Sequence, residues 1–153
     1  MKLVIQKVKE ARVEVENEVV GSIGTGFMIL VGIEVDDTLE DVEKAAKKVS
    51  GLRIFDDLDG KMNLDIHEAS GSVLSISQFT LSADMRKGNR PSFISAMPAV
   101  EADALYESFN ESLRECGLHV ESGIFQTHMN VILNNDGPVT VIMVVKDGRV
   151  ITV

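Results

Sequence analysis

The chain has 153 residues and a mass of 16.7 kDa, with 44% hydrophobic and 25% charged residues. That is one globular domain's worth of chain, and it excludes a disordered, collagenous or coiled-coil protein. A single cysteine, Cys116, excludes a disulfide scaffold and points to a reducing, cytoplasmic setting, while 15 basic against 24 acidic residues leave a net charge of −9 that argues against coating DNA or RNA.

In chain order the first third reads as strands. Val13 and Val15 alternate with Arg12, Glu14 and Glu16, Asn17-Glu18 suits a turn into Val19-Val20, and Phe27 to Ile33 is nearly all apolar, as in a strand covered on both faces. The period then changes. Asp37 or Thr38 can cap a helix that puts Leu39, Val42, Ala45, Ala46 and Val49 on one face and ends at Gly51. Leu52 to Phe55 reads as a short strand, Asp56 to Gly60 as a turn, and Val73 to Leu81 as a buried strand followed by a polar loop, 84–92. The longest helix is expected from about Pro98 to Glu115, with Leu105, Phe109, Leu113 and Cys116 as its apolar stripe and Gly117 near its end. Strands return at Leu118–Glu121, Met129–Asn134 and Val139–Val145, and Asp147-Gly148 is a hairpin turn returning the chain through Val150, Ile151 and Val153. The sum is a single α+β domain with a largely antiparallel, curved or barrel-like sheet and two main helices. Neither a signal-peptide core at the N-terminus nor an apolar run of ~20 residues for a membrane span is expected.

Few familiar chemical motifs fit. His67, His119 and His128 are far apart and form no HExxH-like pair, so they read as surface or loop residues and no metal or cofactor is expected. Gly21-Ser22-Ile23-Gly24-Thr25-Gly26 lacks the third spaced glycine and the following helix of a dinucleotide site. There is no GxSxG elbow, and Cys116 falls on an apolar stripe. Two segments are less ordinary. Ser77-Gln78-Phe79-Thr80 ends a hydrophobic strand in polar side chains, where backbone N–H groups run out of ladder partners; these either serve turn hydrogen bonds or stabilise an oxyanion. Asn134-Asn135-Asp136-Gly137-Pro138-Val139-Thr140 puts Gly-Pro between two strong strands, which on spacing alone is a β-turn.

Ser77-Gln78-Phe79-Thr80-Leu81 together with Asn135-Asp136-Gly137-Pro138-Val139-Thr140 resembles the two signature motifs of the D-aminoacyl-tRNA deacylases, and Gly21 to Gly24, Leu52 to Phe55, Gly60 to Asn63 and Arg90-Pro91-Ser92-Phe93 resemble that family in order and spacing, up to Val145. The resemblance implies a homodimer of barrel-like α+β subunits with sites at the subunit interface. It implies hydrolysis of the ester of D-aminoacyl-tRNA, and of glycine mischarged on tRNA for alanine, with L-aminoacyl-tRNA rejected. On it, Ser77, Gln78, Phe79 and Thr80 line the ester pocket, the N–H groups of Phe79 and Thr80 hold the oxyanion, and Asn135 belongs to the second motif. Gly137-Pro138, cis in the family, reaches into the partner's pocket and excludes an L side chain, and Met129 lines the site. Thr80 is either a nucleophile or, with the terminal ribose 2′-OH helping to activate water, a residue that positions; the second is preferred because no base accompanies it. Arg90, Arg86, Lys87 and Lys61 are the cations expected to meet the acceptor end of tRNA; no DNA or membrane partner is expected.

Two places depart from the family pattern. Gln126-Thr127-His128 stands where the family has small residues and then often an acid, and residues 146–153 add a hairpin strand. Two rival readings stand beside the deacylase one, the first motivated by the net charge of −9 and the second by the altered 126–128 stretch. One is a D-amino-acid ester or peptide hydrolase that needs no tRNA, and the other a non-catalytic dimeric binding module.

Overall fold

Apolar residues alternating along one long segment build β1 (Lys2–Val15), around which the other strands assemble. In the computed structural model, which describes residues 1–151, the first half of β1 pairs antiparallel with β3 (Gly26–Gly32) and its second half with β2 (Glu18–Ile23). Along its other edge runs β8 (Asn130–Lys146), from which Asp147-Gly148 turns the chain into β9 (Arg149–Ile151). Both turn residues have positive φ, 51° and 68°, the conformation a tight hairpin requires. Val153, expected in the same return strand, lies outside the described residues. β6 (Ser72–Ser77) and β7 (Val120–Ser122) continue the sheet beyond β3, giving the order β7-β6-β3-β1-β8-β9, and β4 (Phe55–Asp56) and β5 (Met62–Leu64) form a separate small ribbon.

The fold is α+β, and most pairings are antiparallel. This matches the largely antiparallel sheet expected; the exceptions, β3 with β6 and β6 with β7, are parallel. The strand expected over 52–55 is reduced to Phe55–Asp56, and the buried strand expected to Leu81 stops at Ser77, where residues Phe79–Ser82 form a 3-10 turn. The two strands expected at 129–134 and 139–145 are one continuous strand, β8.

Two helices cover one face. α1 (Leu39–Ser50) starts at Thr38, not Asp37, through a capping box in which the Thr38 hydroxyl meets the Asp41 N–H and the Asp41 carboxylate meets the Thr38 N–H. α2 (Ala99–Glu115) begins after Pro98 and buries Ala102, Tyr106, Phe109, Asn110 and Leu113. Its inward stripe therefore runs through Tyr106, with the expected Leu105 and Cys116 only half-buried. Leu3, Ile5, Phe27, Ile29 and Val31 pack with both helices in the main core, while Val8, Val13, Met28, Leu74 and Ile76 form a second cluster. Because β3 feeds both clusters, its apolar run has no polar alternation. Among the described residues no helix is long and apolar enough to cross a membrane.

Candidate active site

The end of β6 is placed by β3. Val31 and Ser77 are register partners, and the Gln78 N–H still donates to the Val31 carbonyl at 2.7 Å. One residue later the backbone leaves the ladder and coils into the 3-10 turn. Gly32 permits this: a Cβ there would meet the Leu81 Cβ at 2.9 Å and the Gln78 carbonyl at 3.3 Å. The Leu81 and Ala83 N–H groups return to the carbonyls of Gln78 and Thr80. The N–H groups of Phe79 and Thr80, first in the turn, have no hydrogen-bond acceptor among the described residues. The Gln78 amide donates to the Thr80 hydroxyl, and no His, Asp, Glu or Lys shares that oxygen among the described residues. Phe79 is 60% exposed, its ring edge-on to Phe93 at 5.1 Å.

Behind this turn lies a cavity of about 590 Å³. Its walls come from the ends of β3 and β6 (Val31, Ile76, Ser77, Gln78, Phe79), from α2 (Ala102, Tyr106), and from the segment Phe125 to Met129. The segment before α2 closes it, held just past the end of β3 by the Met97 N–H on the Ile33 carbonyl at 3.1 Å. Tyr106 donates its hydroxyl to the Ser75 carbonyl at 2.8 Å, and burial pushes its phenol above the ordinary value. Three of the four first-motif residues, Ser77, Gln78 and Phe79, thus line the cavity with Met129, while Thr80 stands exposed at its edge in the turn. All three residues of the unusual stretch, Gln126, Thr127 and His128, also line it; His128 is an exposed loop histidine, as expected, and stands on the cavity wall as well.

The second motif sits elsewhere. Gln6 is opposite Thr140 and Val8 is opposite Asn135, so Asp136 to Val139 faces the single residue Lys7 and bulges out of β8. Gly137-Pro138 is cis and exposed, with Gly137 at φ 121°. Asn135 ties the base of the bulge, its amide donating to the carbonyls of Lys7 and Val139 at 3.0 Å each. Lys7 is buried beneath it and its ammonium meets Asp56 at 3.1 Å and Asp136 at 3.8 Å. Two carboxylates thereby compensate a charge that burial alone makes costly. The sequence reading passed over Lys7, although a lysine in the inward register of Leu3 and Ile5 is the signal that marks it. Neither Asn135 nor Gly137-Pro138 is among the described residues lining the cavity of its own chain.

The expected cations are divided. Arg86, Lys87 and Arg90 share the loop after the 3-10 turn, and Lys61 stands on the β4–β5 ribbon. Arg86 is paired with Asp84 at 2.6 Å, and that guanidinium holds the Asp84 carboxyl well below the usual carboxylate range. Among the described residues no three His, Cys, Asp or Glu side chains come together to hold a metal ion.

Residues 4–144 match the family model described as D-Tyr-tRNA(Tyr) deacylase. The chain is 55% identical over 143 residues to a D-aminoacyl-tRNA deacylase of Thermotoga petrophila, covering 94% of this chain and 96% of that one. It is 50% identical over 151 residues to a D-aminoacyl-tRNA deacylase of Staphylococcus carnosus, covering 99% and 100%. Among solved structures, one titled c-Myc DNA Unwinding Element Binding Protein superposes with a TM-score of 0.87 at 39% identity, covering 93% of this chain and 97% of that one. A probable eukaryotic D-amino acid tRNA deacylase has the same fold, with a TM-score of 0.82 at 18% identity, covering 92% and 97%.

Proposed function

The chain belongs to the D-Tyr-tRNA(Tyr) deacylase family, and from that premise we propose that it hydrolyses the ester of D-aminoacyl-tRNA, and of glycyl-tRNA mischarged on tRNA for alanine, while sparing L-aminoacyl-tRNA. The observation that carries the chemistry is the pair of unengaged N–H groups of Phe79 and Thr80 at the edge of the cavity. Two backbone donors at the start of one turn suit the oxygen of an ester carbonyl as it becomes tetrahedral and negative.

Thr80 positions and does not attack. Its oxygen accepts from the Gln78 amide, which withdraws electron density from it, and no base among the described residues is hydrogen-bonded to it to take its proton. The attacking water is then helped by the ribose hydroxyl next to the ester, so the RNA supplies part of the catalyst.

Chirality is read by Gly137-Pro138 of a second copy. The bulge stands out from β8, exposed and away from its own cavity, as a homodimer with shared sites requires. Backbone carbonyls there meet the substrate's amino group, and an L side chain collides with main chain that has no rotamer to relax. A D side chain points to solvent, so many are tolerated. The bulges in β1 and β8 bend the sheet, which supports a barrel-like curvature of each subunit. Lys61, Lys87 and Arg90 meet the acceptor end, and so few phosphate contacts imply weak, salt-sensitive binding that is compatible with a net charge of −9.

Hydrolysis of D-tyrosyl-tRNA, L-tyrosyl-tRNA and glycyl-tRNA measured side by side tests the proposal. The D and glycyl esters disappear and the L ester persists. Equal rates on free D-amino-acid esters would favour the hydrolase that needs no tRNA, and binding without turnover would favour the binding module.

A further inference from the structure

His128 is the one ionisable side chain besides the buried Tyr106 on the described cavity wall, and its surroundings leave it unoccupied for other work. Gln126 takes a left-handed φ of 59°, and Thr127 turns both its N–H, at 3.3 Å, and its hydroxyl, at 2.8 Å, onto the Ile124 carbonyl. The turn is thus fixed by its own backbone, and the next side chain, His128, is presented at the cavity. Among the described residues its ring makes no hydrogen bond and no ion pair. Of the other polar side chains of the wall, Gln78 is engaged by Thr80, Tyr106 by the Ser75 carbonyl and Thr127 by the Ile124 carbonyl, which leaves Ser77 and Gln126 beside His128 as the polar groups open to a ligand.

A cavity of about 590 Å³ is larger than one amino acid needs and suits an aminoacyl group joined to its nucleoside. An ester carbonyl held at the Phe79 and Thr80 N–H groups carries its ribose into that space by covalent connection. The ribose of a 3′-ester has one free hydroxyl, on C2′. A neutral imidazole has a ring nitrogen able to accept its proton, which none of the apolar wall residues offers.

We propose that His128 is a specificity-determining residue whose ring nitrogen accepts a hydrogen bond from the 2′-hydroxyl of the terminal ribose and so fixes the ribosyl end of the substrate. This rests on the ester-hydrolysis reading above. The bond leaves the oxygen's lone pairs available to orient water, so it adds to the assistance by RNA and does not replace it.

The probe is the 3′-amide of D-tyrosine with 3′-amino-3′-deoxyadenosine, which resists hydrolysis, together with its 2′-deoxy counterpart. Titration calorimetry should show His128→Ala weakening the first probe roughly three- to tenfold, the range of one neutral hydrogen bond. Removal of the 2′-hydroxyl should weaken binding to the parent by a similar factor, and the two losses should not add. His128→Gln, which keeps an acceptor, should bind within about twofold of the parent. Additive losses, or an unchanged affinity in His128→Ala, would overturn the proposal. Hydrolysis of D-tyrosyl-tRNA by the parent is measured alongside. A parent that turns over while the losses add refutes the role of His128 alone, and a parent that binds with non-additive losses but never turns over refutes the hydrolase reading alone.

Discussion

At the scale of single residues, the division of labour between Phe79 and Thr80 is open to a direct test. If the backbone N–H groups hold the oxyanion, deleting one must cost more than deleting the Thr80 hydroxyl. Phe79→Pro removes an N–H at the first position of the turn, where proline's φ is tolerated and Gln78 before it is already extended, with φ −144° and ψ 80°. Its kcat should fall about 10²-fold, the usual cost of an oxyanion donor, while Phe79→Leu, which keeps the N–H and loses the ring, falls far less. Thr80→Ala should retain substantial activity. Single-turnover rates of the three variants on D-tyrosyl-tRNA decide it, and a folded Thr80→Ala protein without turnover would restore threonine as the nucleophile.

At the scale of elements, α1 is tied to the far end of the sheet by one carboxylate. Asp41 closes the capping box and also accepts the Gly148 N–H of the β8–β9 turn at 2.9 Å. Burial on its own would raise this carboxyl, but the N–H groups of Gly148 and Thr38 and the Thr38 hydroxyl outweigh it and hold the group below its ordinary value. A lowered folded pKa contributes stability that is present above the unfolded carboxylate value and lost as pH falls through the folded one. Asp41→Ala should therefore cost about 1–2 kcal/mol at pH 7, the range of a lost cap, with the difference shrinking toward pH 3. Urea melts at both pH values measure this. Asp37 or Thr38 before an apolar stripe made the start of α1 legible to within one residue, and the apolar run of β3 made its double burial legible. The parallel pairing of β3 with β6 was not, because a buried strand shows the same apolar run whichever way its neighbour points. Nor was the 3-10 turn, since Phe79, Thr80 and Leu81 all suit a strand; the room for it comes from Gly32 on another strand, a tertiary condition with no local signal. Both signature motifs were legible only through their resemblance to a known family, since spacing alone left the first undecided and made the second a β-turn, whereas the cavity role of Gln126, Thr127 and His128 depended on where Phe125 packs, beside the Tyr106 ring at 6.1 Å.

At the scale of the whole molecule, the placing of the two motifs decides whether one chain is enough. The cavity with Phe79 belongs to one region of the fold, and the Gly137-Pro138 bulge stands outside its lining. If the second copy supplies the bulge, variants broken in different motifs should rescue each other. Gly137→Val is the natural second variant, since φ 121° disfavours any L side chain and a Cβ there would press on the Val139 side chain at 2.7 Å and its N at 3.0 Å. Each homodimer is then inactive, Phe79→Pro for want of a donor and Gly137→Val for want of a correctly placed bulge. In a mixed dimer, the intact cavity of the Gly137→Val chain receives the intact bulge of the Phe79→Pro chain, while the other site carries both defects. Equal mixing and free exchange make half the dimers mixed with one good site each, so roughly a quarter of the parent activity should return. The recovered activity should keep the preference for D-tyrosyl-tRNA, because its one working site is assembled from unaltered parts. A site complete within one chain predicts no recovery at any mixing ratio, and the same titration, with dissociation followed by dilution, separates the two outcomes.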